Sequence, residues 1–277
     1  MQINVTYMSA AGNLFTVIDN RDQILKKIDI PKMTRKLCSK TFNKVMDTEG
    51  LMLLENNIDY DFECKFYNPD GSTGMMCGNG GRAIVRFAYE LNHIEETQEN
   101  VVFYMANDLY KARKDNENID LTMAGVNFES EKTLTINGKQ INTYYVDNGS
   151  QHVAINIEEF EINDINRLNV IELGKKVRFN KALEPKGANA NFYNFDGNLV
   201  NLRTYERGVE KETGACGTGA VATAIAAHKY LNIDYPITII PTSQDILQID
   251  KEIIEDKTVY HLIGPAEIIN QNKLEIE

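Results

Sequence analysis

Two short cysteine–glycine elements constrain the fold of this chain more than any other feature. Gly74-Met-Met-Cys-Gly-Asn-Gly-Gly-Arg82 contains Cys77, and Thr213-Gly-Ala-Cys-Gly-Thr-Gly219 contains Cys216. Each element precedes a segment of high helical propensity, over residues 83–91 in the first case and up to about residue 230 in the second. The two cysteines are 139 positions apart (216 − 77). This repetition predicts a duplicated unit whose two halves face each other.

A cysteine immediately before a helix lies beside unpaired backbone N–H groups and the positive end of the helix dipole. This setting favours the thiolate and lowers the thiol pKa from about 8.5, in known cases to roughly 3.5–7.5. The N–H groups of Gly217, Thr218 and Gly219 are in addition able to bind a carboxylate. Cys77 and Cys216 are therefore candidate acid–base groups at a site that binds a carboxylate.

The composition is that of a globular protein and excludes several classes of partner. The chain has 277 residues, 43% hydrophobic and 25% charged, with a net charge of −11. Because no basic tract is present, nucleic acid and anionic membrane surfaces are not expected partners. Residues 1–7 lack the pattern of a signal peptide, and no apolar run approaches the roughly 18 residues that span a bilayer. Four unclustered cysteines argue against a disulfide framework, so we expect a cytoplasmic protein.

The order of predicted secondary structure also repeats. Strand-like runs precede the Cys77 element, a helix follows it, and further strands extend to about residue 123. The same succession occurs around Cys216, with an additional short helix predicted over residues 162–175. This pattern predicts an α+β fold of two halves, residues 1–125 and residues 126–264, each with a buried apolar helix.

Two thiols on opposite sides of a bound molecule suit one reaction in particular. A thiolate removes a proton from a carbon atom, and the other thiol donates a proton to the opposite face, so the configuration inverts. The α-proton of an amino acid is only weakly acidic, because the carbanion forms beside a carboxylate that is already charged. Backbone dipoles directed at that carboxylate reduce the cost. The sequence therefore predicts an enzyme that inverts an α-carbon.

Four segments together resemble the diaminopimelate epimerase family. They are Asn68-Pro-Asp-Gly, Met76-Cys-Gly-Asn-Gly-Gly-Arg82, Tyr205-Glu-Arg-Gly208 and Ala215-Cys-Gly-Thr-Gly219. Gly12-Asn13, Gly187-Ala-Asn-Ala-Asn-Phe192 and Gly264-Pro-Ala266 fall in the order expected of that family, so the resemblance covers nearly the whole chain. A lone Cys-Gly-x-Gly would be a weak signal, whereas two such elements with Glu-Arg-Gly between them are specific.

The resemblance implies a role for each matched residue. Cys77 and Cys216 would act as acid and base and would exchange roles with the direction of the reaction. The carboxylate at the reacting centre would be bound by Gly78, Asn79, Gly217 and Thr218. The distal amino-acid end of the substrate would be recognised by Asn13, Asn68, Asn189, Glu206 and Arg207. His152 and Glu206 would lie near the thiols and influence which of them is ionised.

The resemblance also implies a fold and an assembly. Members of the family have two pseudo-symmetric α+β halves, each a curled, mostly antiparallel sheet around a central helix, with the active site in the cleft between them. The C-terminal tail, residues 265–277, would return to the first half. These enzymes need neither pyridoxal phosphate nor a metal. They act on a small-molecule amino acid, diaminopimelate, and are commonly homodimers.

Three positions depart from the family pattern and leave the substrate open. Leu14 stands where an aspartate usually follows Gly-Asn, and Ser150 and Gln151 stand where asparagine and proline are usual. The leading hypothesis is the interconversion of LL- and meso-diaminopimelate, and the nearest alternative is a racemase of the same fold for another amino acid. A third hypothesis is a non-enzymatic protein in which Cys77 and Cys216 form a redox-switched disulfide.

Overall fold

The computed structural model describes residues 1–74, 77–123 and 125–276. Met75 and Met76, which belong to the element before Cys77, lie outside this part of the chain. Within the described residues the chain forms 17 β-strands and five α-helices. The strands are β1 (Gln2–Ala10), β2 (Asn13–Asp19), β3 (Leu51–Glu55), β4 (Phe62–Tyr67), β5 (Val101–Met105), β6 (Asp108–Asp115), β7 (Asn118–Met123), β8 (Phe128–Ile136), β9 (Lys139–Asp147), β10 (Gln151–Asn156), β11 (Asn189–Phe195), β12 (Val200–Glu206), β13 (Lys211–Thr213), β14 (Ile237–Ile240), β15 (Leu247–Ile254), β16 (Lys257–Pro265) and β17 (Glu267–Glu275). The helices are α1 (Ile30–Leu37), α2 (Lys40–Asn43), α3 (Gly78–Glu90), α4 (Val170–Arg178) and α5 (Gly217–Leu231).

Two compact units make up the chain. The first comprises Met1–Leu121 together with Gly264–Glu277, and the second comprises Thr122–Ile263. In the first unit the strands pair in the order β17-β1-β2-β3-β4-β5-β6-β7, in which β2–β3 and β4–β5 are parallel and the other pairs are antiparallel. In the second unit the order is β8-β9-β10-β11-β12-β14-β15-β16, with β10–β11 and β12–β14 parallel and the others antiparallel.

Both units therefore have the same succession of strand-pair directions. Each contains two parallel pairs at the same places in the order, and the connection across the second parallel pair contains a helix that follows one of the two cysteines. In the first unit α3 packs against β1, β2, β3 and β17, and in the second α5 packs against β9 to β12, β14 and β15. The prediction of an α+β fold, with mostly antiparallel strands around a central helix in each half, is confirmed.

Burial, more than local propensity, accounts for the start of α3. The helix predicted over residues 83–91 begins five residues earlier, at Gly78, although Gly78, Gly80 and Gly81 are each about 1 kcal/mol less favourable than alanine in a helix. Residues 78–85 and 87–89 are all buried, so tertiary packing stabilises this first turn. In the described part of the chain, no helix is long and apolar enough to cross a membrane.

The helix predicted over residues 162–175 forms later in the chain, so its predicted bounds were wrong. Ile165–Arg167 is a separate 3-10 turn, and Asp164 accepts a hydrogen bond at its start. The helix α4 begins after Asn169, whose side chain accepts a hydrogen bond from the N–H of Glu172 at 3.2 Å. Two capping side chains in succession therefore divide the segment into two elements.

Candidate active site

Cys77 and Cys216 occupy equivalent positions in the two units. Cys77 is the N-cap residue of α3, with φ −126° and ψ 118°, and Cys216 is the N-cap residue of α5, with φ −125° and ψ 112°. Each cysteine carbonyl accepts the first helical hydrogen bond, from the N–H of Gly81 or Ala220, at 2.8 Å in both cases. Both side chains are half-buried. The prediction that each cysteine immediately precedes a helix is confirmed, and both thiols lie at the positive end of a helix dipole.

In the first unit, four polar side chains form a hydrogen-bonded chain. Asn79 donates through Nδ2 to Asn13 Oδ1 and accepts from Arg82 Nη2, the latter at 2.9 Å. Asn13 donates in turn to Glu49 Oε2. The amides of Asn13 and Asn79 are buried and Arg82 is fully buried, whereas Glu49 is exposed. The chain thus connects a buried cation to an exposed carboxylate and fixes the orientation of both amides.

In the second unit, a buried imidazole lies behind the thiol. Thr218 Oγ1 is 3.5 Å from Cys216 Sγ and 3.0 Å from His152 Nε2. The other ring nitrogen, Nδ1, is 3.1 Å from Asn191 Nδ2. His152 and Asn191 are both fully buried. Of the residues predicted for this site, the structure brings together Cys216, Thr218 and His152.

The imidazole of His152 is neutral at physiological pH. Burial lowers its pKa from the ordinary value of 6.5 to about 3, and the positive charge of Arg207 acts in the same direction. The negative charge of Asp147 raises the pKa, but by less. Since a neutral imidazole has one N–H and one lone pair, His152 acts on its neighbours through hydrogen bonds and not as a cation.

Asn189 and Arg207, two predicted binding residues of the second unit, form hydrogen bonds with Ser150 and Gln151. These two positions depart from the family pattern. The backbone N–H of Arg207 donates to Asn189 Oδ1 at 2.8 Å, and its Nη1 donates to Gln151 Oε1 at 2.7 Å. Gln151 Nε2 donates to Asp147 Oδ2 at 2.8 Å. Asn189 Nδ2 donates to Ser150 Oγ at 3.0 Å and to the Gln151 carbonyl at 2.9 Å. Ser150 and Gln151 therefore both contact residues expected to recognise the substrate.

The remaining predicted residues are Gly78 and Gly217, the first residues of α3 and α5, together with Glu206 and Asn68. The carboxylate of Glu206, at the end of β12, accepts a hydrogen bond from Thr213 Oγ1 at 2.9 Å. Burial raises the pKa of this carboxyl group above its ordinary value, and the hydrogen bond from Thr213 offsets part of that effect. Asn68 follows β4 in the first unit, where its Nδ2 donates to Ser72 Oγ at 2.9 Å and stabilises a turn.

The sequence matches the family model described as diaminopimelate epimerase over residues 5–128 and 144–269, which is most of the chain. The chain belongs to the diaminopimelate epimerase family. The family's enzyme from Aquifex aeolicus is 36% identical over 270 residues, covering 91% of this chain and 93% of that relative. The enzyme from Hydrogenobaculum sp. is 32% identical over 286 residues and covers 99% of both. The resemblance expected from the sequence motifs is confirmed.

A solved structure supports the fold independently of this family. The crystal structure of a phenazine biosynthesis protein of the PhzF family from Bacillus anthracis superimposes with a TM-score of 0.72 over 100% of both chains. Its sequence identity to this chain is 13%, so the likeness concerns the fold alone.

Several residues in the hydrogen-bonded groups around Asn79 and His152 had no role predicted from the sequence. Asn191 could have been noticed, because it lies two residues after Asn189 on β11, and alternate residues of a strand share a face. Glu49 is 36 positions from Asn13, and no local pattern indicates that contact. Arg82 lies inside the first cysteine element, but its complete burial and its hydrogen bond to Asn79 follow only from the structure.

Proposed function

We propose that this protein interconverts LL- and meso-diaminopimelate by moving the proton on one α-carbon. Membership of the diaminopimelate epimerase family supports the proposal. The structural observation that carries it is the equivalent placement of Cys77 and Cys216 at the N-caps of α3 and α5. A reaction that runs in both directions through two proton-transfer groups requires each group to act as the base in one direction and as the acid in the other.

In this mechanism the two thiols supply the base and the acid. One thiolate takes the α-proton and becomes a thiol, while the electron pair of the broken C–H bond remains on the carbon and delocalises into the carboxylate. The other thiol donates its proton to the opposite face and becomes a thiolate. One C–H bond breaks and another forms, so no atom is oxidised or reduced. In the reverse reaction Cys77 and Cys216 exchange roles.

The first turns of α3 and α5 would bind the carboxylate of the reacting centre. The N–H groups of Gly78, Asn79, Gly217 and Thr218 belong to these turns, where the helix supplies no acceptor for them. Negative charge builds up on this carboxylate as the proton leaves. Donors already oriented toward it stabilise the transition state, each by about 10²–10³-fold in rate in known enzymes.

The distal end of the substrate would be recognised by five polar residues. We assign this role to Asn13, Asn68, Asn189, Glu206 and Arg207. A guanidinium binds a carboxylate with two parallel hydrogen bonds, which suits Arg207 to the distal carboxylate. The carboxylate of Glu206 is an acceptor for the distal ammonium group. A substrate with an amino-acid group at both ends uses all of these residues.

Proton exchange in D₂O tests the proposal directly. We expect deuterium at the α-carbon of LL- and meso-diaminopimelate, and a loss of exchange of about 10²–10⁴-fold in both Cys77→Ala and Cys216→Ala. The control is Cys38→Ala, because burial raises the pKa of Cys38 to about 11 and keeps that group a thiol. Full exchange in either active-site variant would favour the redox-switch hypothesis instead.

A second candidate is a racemase for another amino acid. The observation that favours it is the pair Ser150 and Gln151, both hydrogen-bonded to the proposed distal-binding residues. The same exchange experiment with a panel of amino acids separates the two. Deuterium uptake only into amino acids that lack a second carboxylate would exclude diaminopimelate and leave the roles of the thiols intact.

We also propose that the protein is a homodimer and works in the cytoplasm. The resemblance to a family of dimeric biosynthetic enzymes supports both statements. Light scattering of the purified protein is expected to give twice the chain mass of 31.4 kDa. A mass of one chain at all concentrations would exclude the dimer, and cell fractionation tests the location.

A further inference from the structure

The inference concerns Asn191, which has no role in the mechanism above. Its side chain is fully buried on β11, between the imidazole of His152 and the first turn of α5. The fit against α5 is close, because a Cβ atom added to Gly219 would lie 2.5 Å from Asn191 Oδ1. The amide makes hydrogen bonds on both of its sides, so its orientation is determined by its neighbours.

The neighbours of Asn191 identify which side of the amide faces the imidazole. The side that faces His152 Nδ1, at 3.1 Å, also lies 3.4 Å from the carbonyl oxygen of Val153. A carbonyl oxygen only accepts hydrogen bonds, so this side must be the NH₂ group. The other side, Oδ1, accepts from the hydroxyl of Thr204 at 3.1 Å. Asn191 therefore donates to His152 Nδ1.

This direction fixes the position of the ring proton. A nitrogen that accepts a hydrogen bond carries no proton, so the neutral imidazole of His152 has its proton on Nε2. Nε2 in turn faces Thr218 Oγ1 at 3.0 Å and donates to it. With one lone pair of Thr218 Oγ1 occupied, the hydroxyl still has its proton to donate to Cys216 Sγ, at 3.5 Å, and a thiolate there can only accept it.

We propose that Asn191 is a positioning residue that holds His152 as the Nε2–H tautomer, so that Thr218 donates a hydrogen bond to Cys216 Sγ and favours Cys216 as the resting thiolate. The consequence is that the resting enzyme is ready for the direction of the reaction in which Cys216 is the base and Cys77 the acid. This deepens the proposed function and rests on it only for the use made of the Cys216 thiolate. The hydrogen bonds that lead from Asn191 through His152 and Thr218 to Cys216 do not depend on the identity of the substrate.

The protonation state of the thiol gives the first test, and it requires no substrate. In a Cys77→Ala background, the rate of alkylation of Cys216 by iodoacetamide is measured against pH. Peptide mass mapping identifies the alkylated cysteine. Thr218→Val is expected to raise the midpoint of this profile by about one pH unit, the size expected for one hydrogen bond to a charged group. Thr218→Ser keeps the hydroxyl and is expected to restore the midpoint.

The charged groups that act on the imidazole, Arg207 and Asp147, are unchanged in these variants, so their effects cancel. Asn191→Leu, which has the same number of side-chain heavy atoms, leaves Nδ1 without its donor and is expected to shift the midpoint in the same direction as Thr218→Val. If Asn191→Leu does not fold, the two Thr218 variants still test the hydrogen bond to Cys216, and the tautomer of His152 in the parent tests the part played by Asn191. Equal midpoints in Thr218→Val and the parent would overturn the proposal.

The tautomer gives the second test. Nitrogen-15 NMR of histidine-labelled protein identifies which ring nitrogen carries the proton, and His152→Gln assigns the signal among the four histidines. We expect a neutral Nε2–H ring in the parent and a change of tautomer population in Asn191→Leu. An Nδ1–H ring in the parent would overturn the proposal. A correct tautomer without deuterium exchange into any amino acid would instead overturn the proposed function.

Discussion

The starts of α3 and α5 have nearly the same backbone conformation but different side-chain partners. The residue two positions after each cysteine shows the difference. Asn79 directs its amide to Asn13 and to the cationic Arg82, whereas Thr218 places its hydroxyl between Cys216 Sγ and a neutral imidazole. The duplicated fold thus preserves the position of the thiol and leaves the polar groups behind it free to diverge. The two thiols therefore have matching positions but different surroundings, as the proposed pairing of a resting base with a resting acid requires.

The glycine three positions after each cysteine, Gly80 or Gly219, gives the comparison its sharpest test. A Cβ atom at Gly219 would lie 2.5 Å from Asn191 Oδ1 and 3.3 Å from Cys216 Sγ, whereas one at Gly80 meets its nearest neighbours at 3.5 Å. We expect Gly219→Ala to reduce the free energy of unfolding by about 1–3 kcal/mol, because its surroundings must move. Gly80→Ala is expected to be neutral or to raise it by up to about 1 kcal/mol, because alanine favours the helix.

Urea unfolding of the two alanine variants beside the parent measures this difference. Both substitutions add one methyl group to the first turn of a buried helix, so each is the control for the other. Equal losses of stability at Gly80 and Gly219 would show that the two helix starts are packed alike, and the comparison would then fail.

Acid is expected to destabilise the second unit, because it protonates His152. Its folded-state pKa of about 3 lies below the ordinary value of 6.5, so the unfolded chain binds a proton that the folded chain does not. Stability from this group is complete above pH 6.5 and is lost as the pH falls toward 3. From about pH 7.5 to about pH 5, the loss is about 2 kcal/mol, at about 1.4 kcal/mol per pH unit below the unfolded-state pKa.

Urea unfolding of the parent and of His152→Gln at both pH values isolates this contribution. The variant is expected to be less stable at neutral pH and to lose about 2 kcal/mol less than the parent on acidification, because the titrating group is gone. The NMR signal of His152 provides a check that does not depend on the folding of the variant. A ring that titrates near pH 6.5 in the folded protein would contradict this account.

The sequence was sufficient to predict the features that depend on spacing. The repeated cysteine elements predicted two α+β halves. The boundary at Cys216 between a glycine-rich loop and an alanine-rich segment predicted the start of α5. The start of α3 was harder, because the intrinsic propensity of Gly78, Gly80 and Gly81 opposes a helix that packing then stabilises. Local sequence therefore gave the position of the thiols but not the full length of the first helix.

The hydrogen-bond networks could not be predicted in the same way. Thr218 and His152 are 66 positions apart, and their contact depends on the packing of α5 against β10. Arg82 is a further example, because a charged residue in the first turns of a helix is ordinarily exposed. Its burial is a property of the tertiary structure and is absent from the local pattern. Which side chain orients which is thus decided by long-range packing.

The side chains that orient the proposed distal-binding residues also differ between the two units, and this difference is expected to affect substrate binding. In the second unit, Gln151 holds Arg207 at 2.7 Å and is itself held by Asp147. Gln151→Met, similar in length, is expected to raise KM for diaminopimelate about fivefold with kcat within about twofold, because one hydrogen bond of about 1 kcal/mol orients the guanidinium in ground and transition states alike. Steady-state kinetics in both directions measures this. An equal fall in kcat would place Gln151 in the chemical step.

In the first unit, Glu49 is the corresponding orienting residue, since its carboxylate accepts a hydrogen bond from Asn13 Nδ2. Glu49 is exposed, and a hydrogen bond that competes with water contributes less than a buried one. Glu49→Ala is therefore expected to raise KM only about two- to threefold, or about 0.5 kcal/mol. Glu49→Gln keeps an acceptor for Asn13 and is expected to match the parent. An effect of Glu49→Ala larger than that of Gln151→Met would show that the first unit, and not the second, dominates recognition of the distal end.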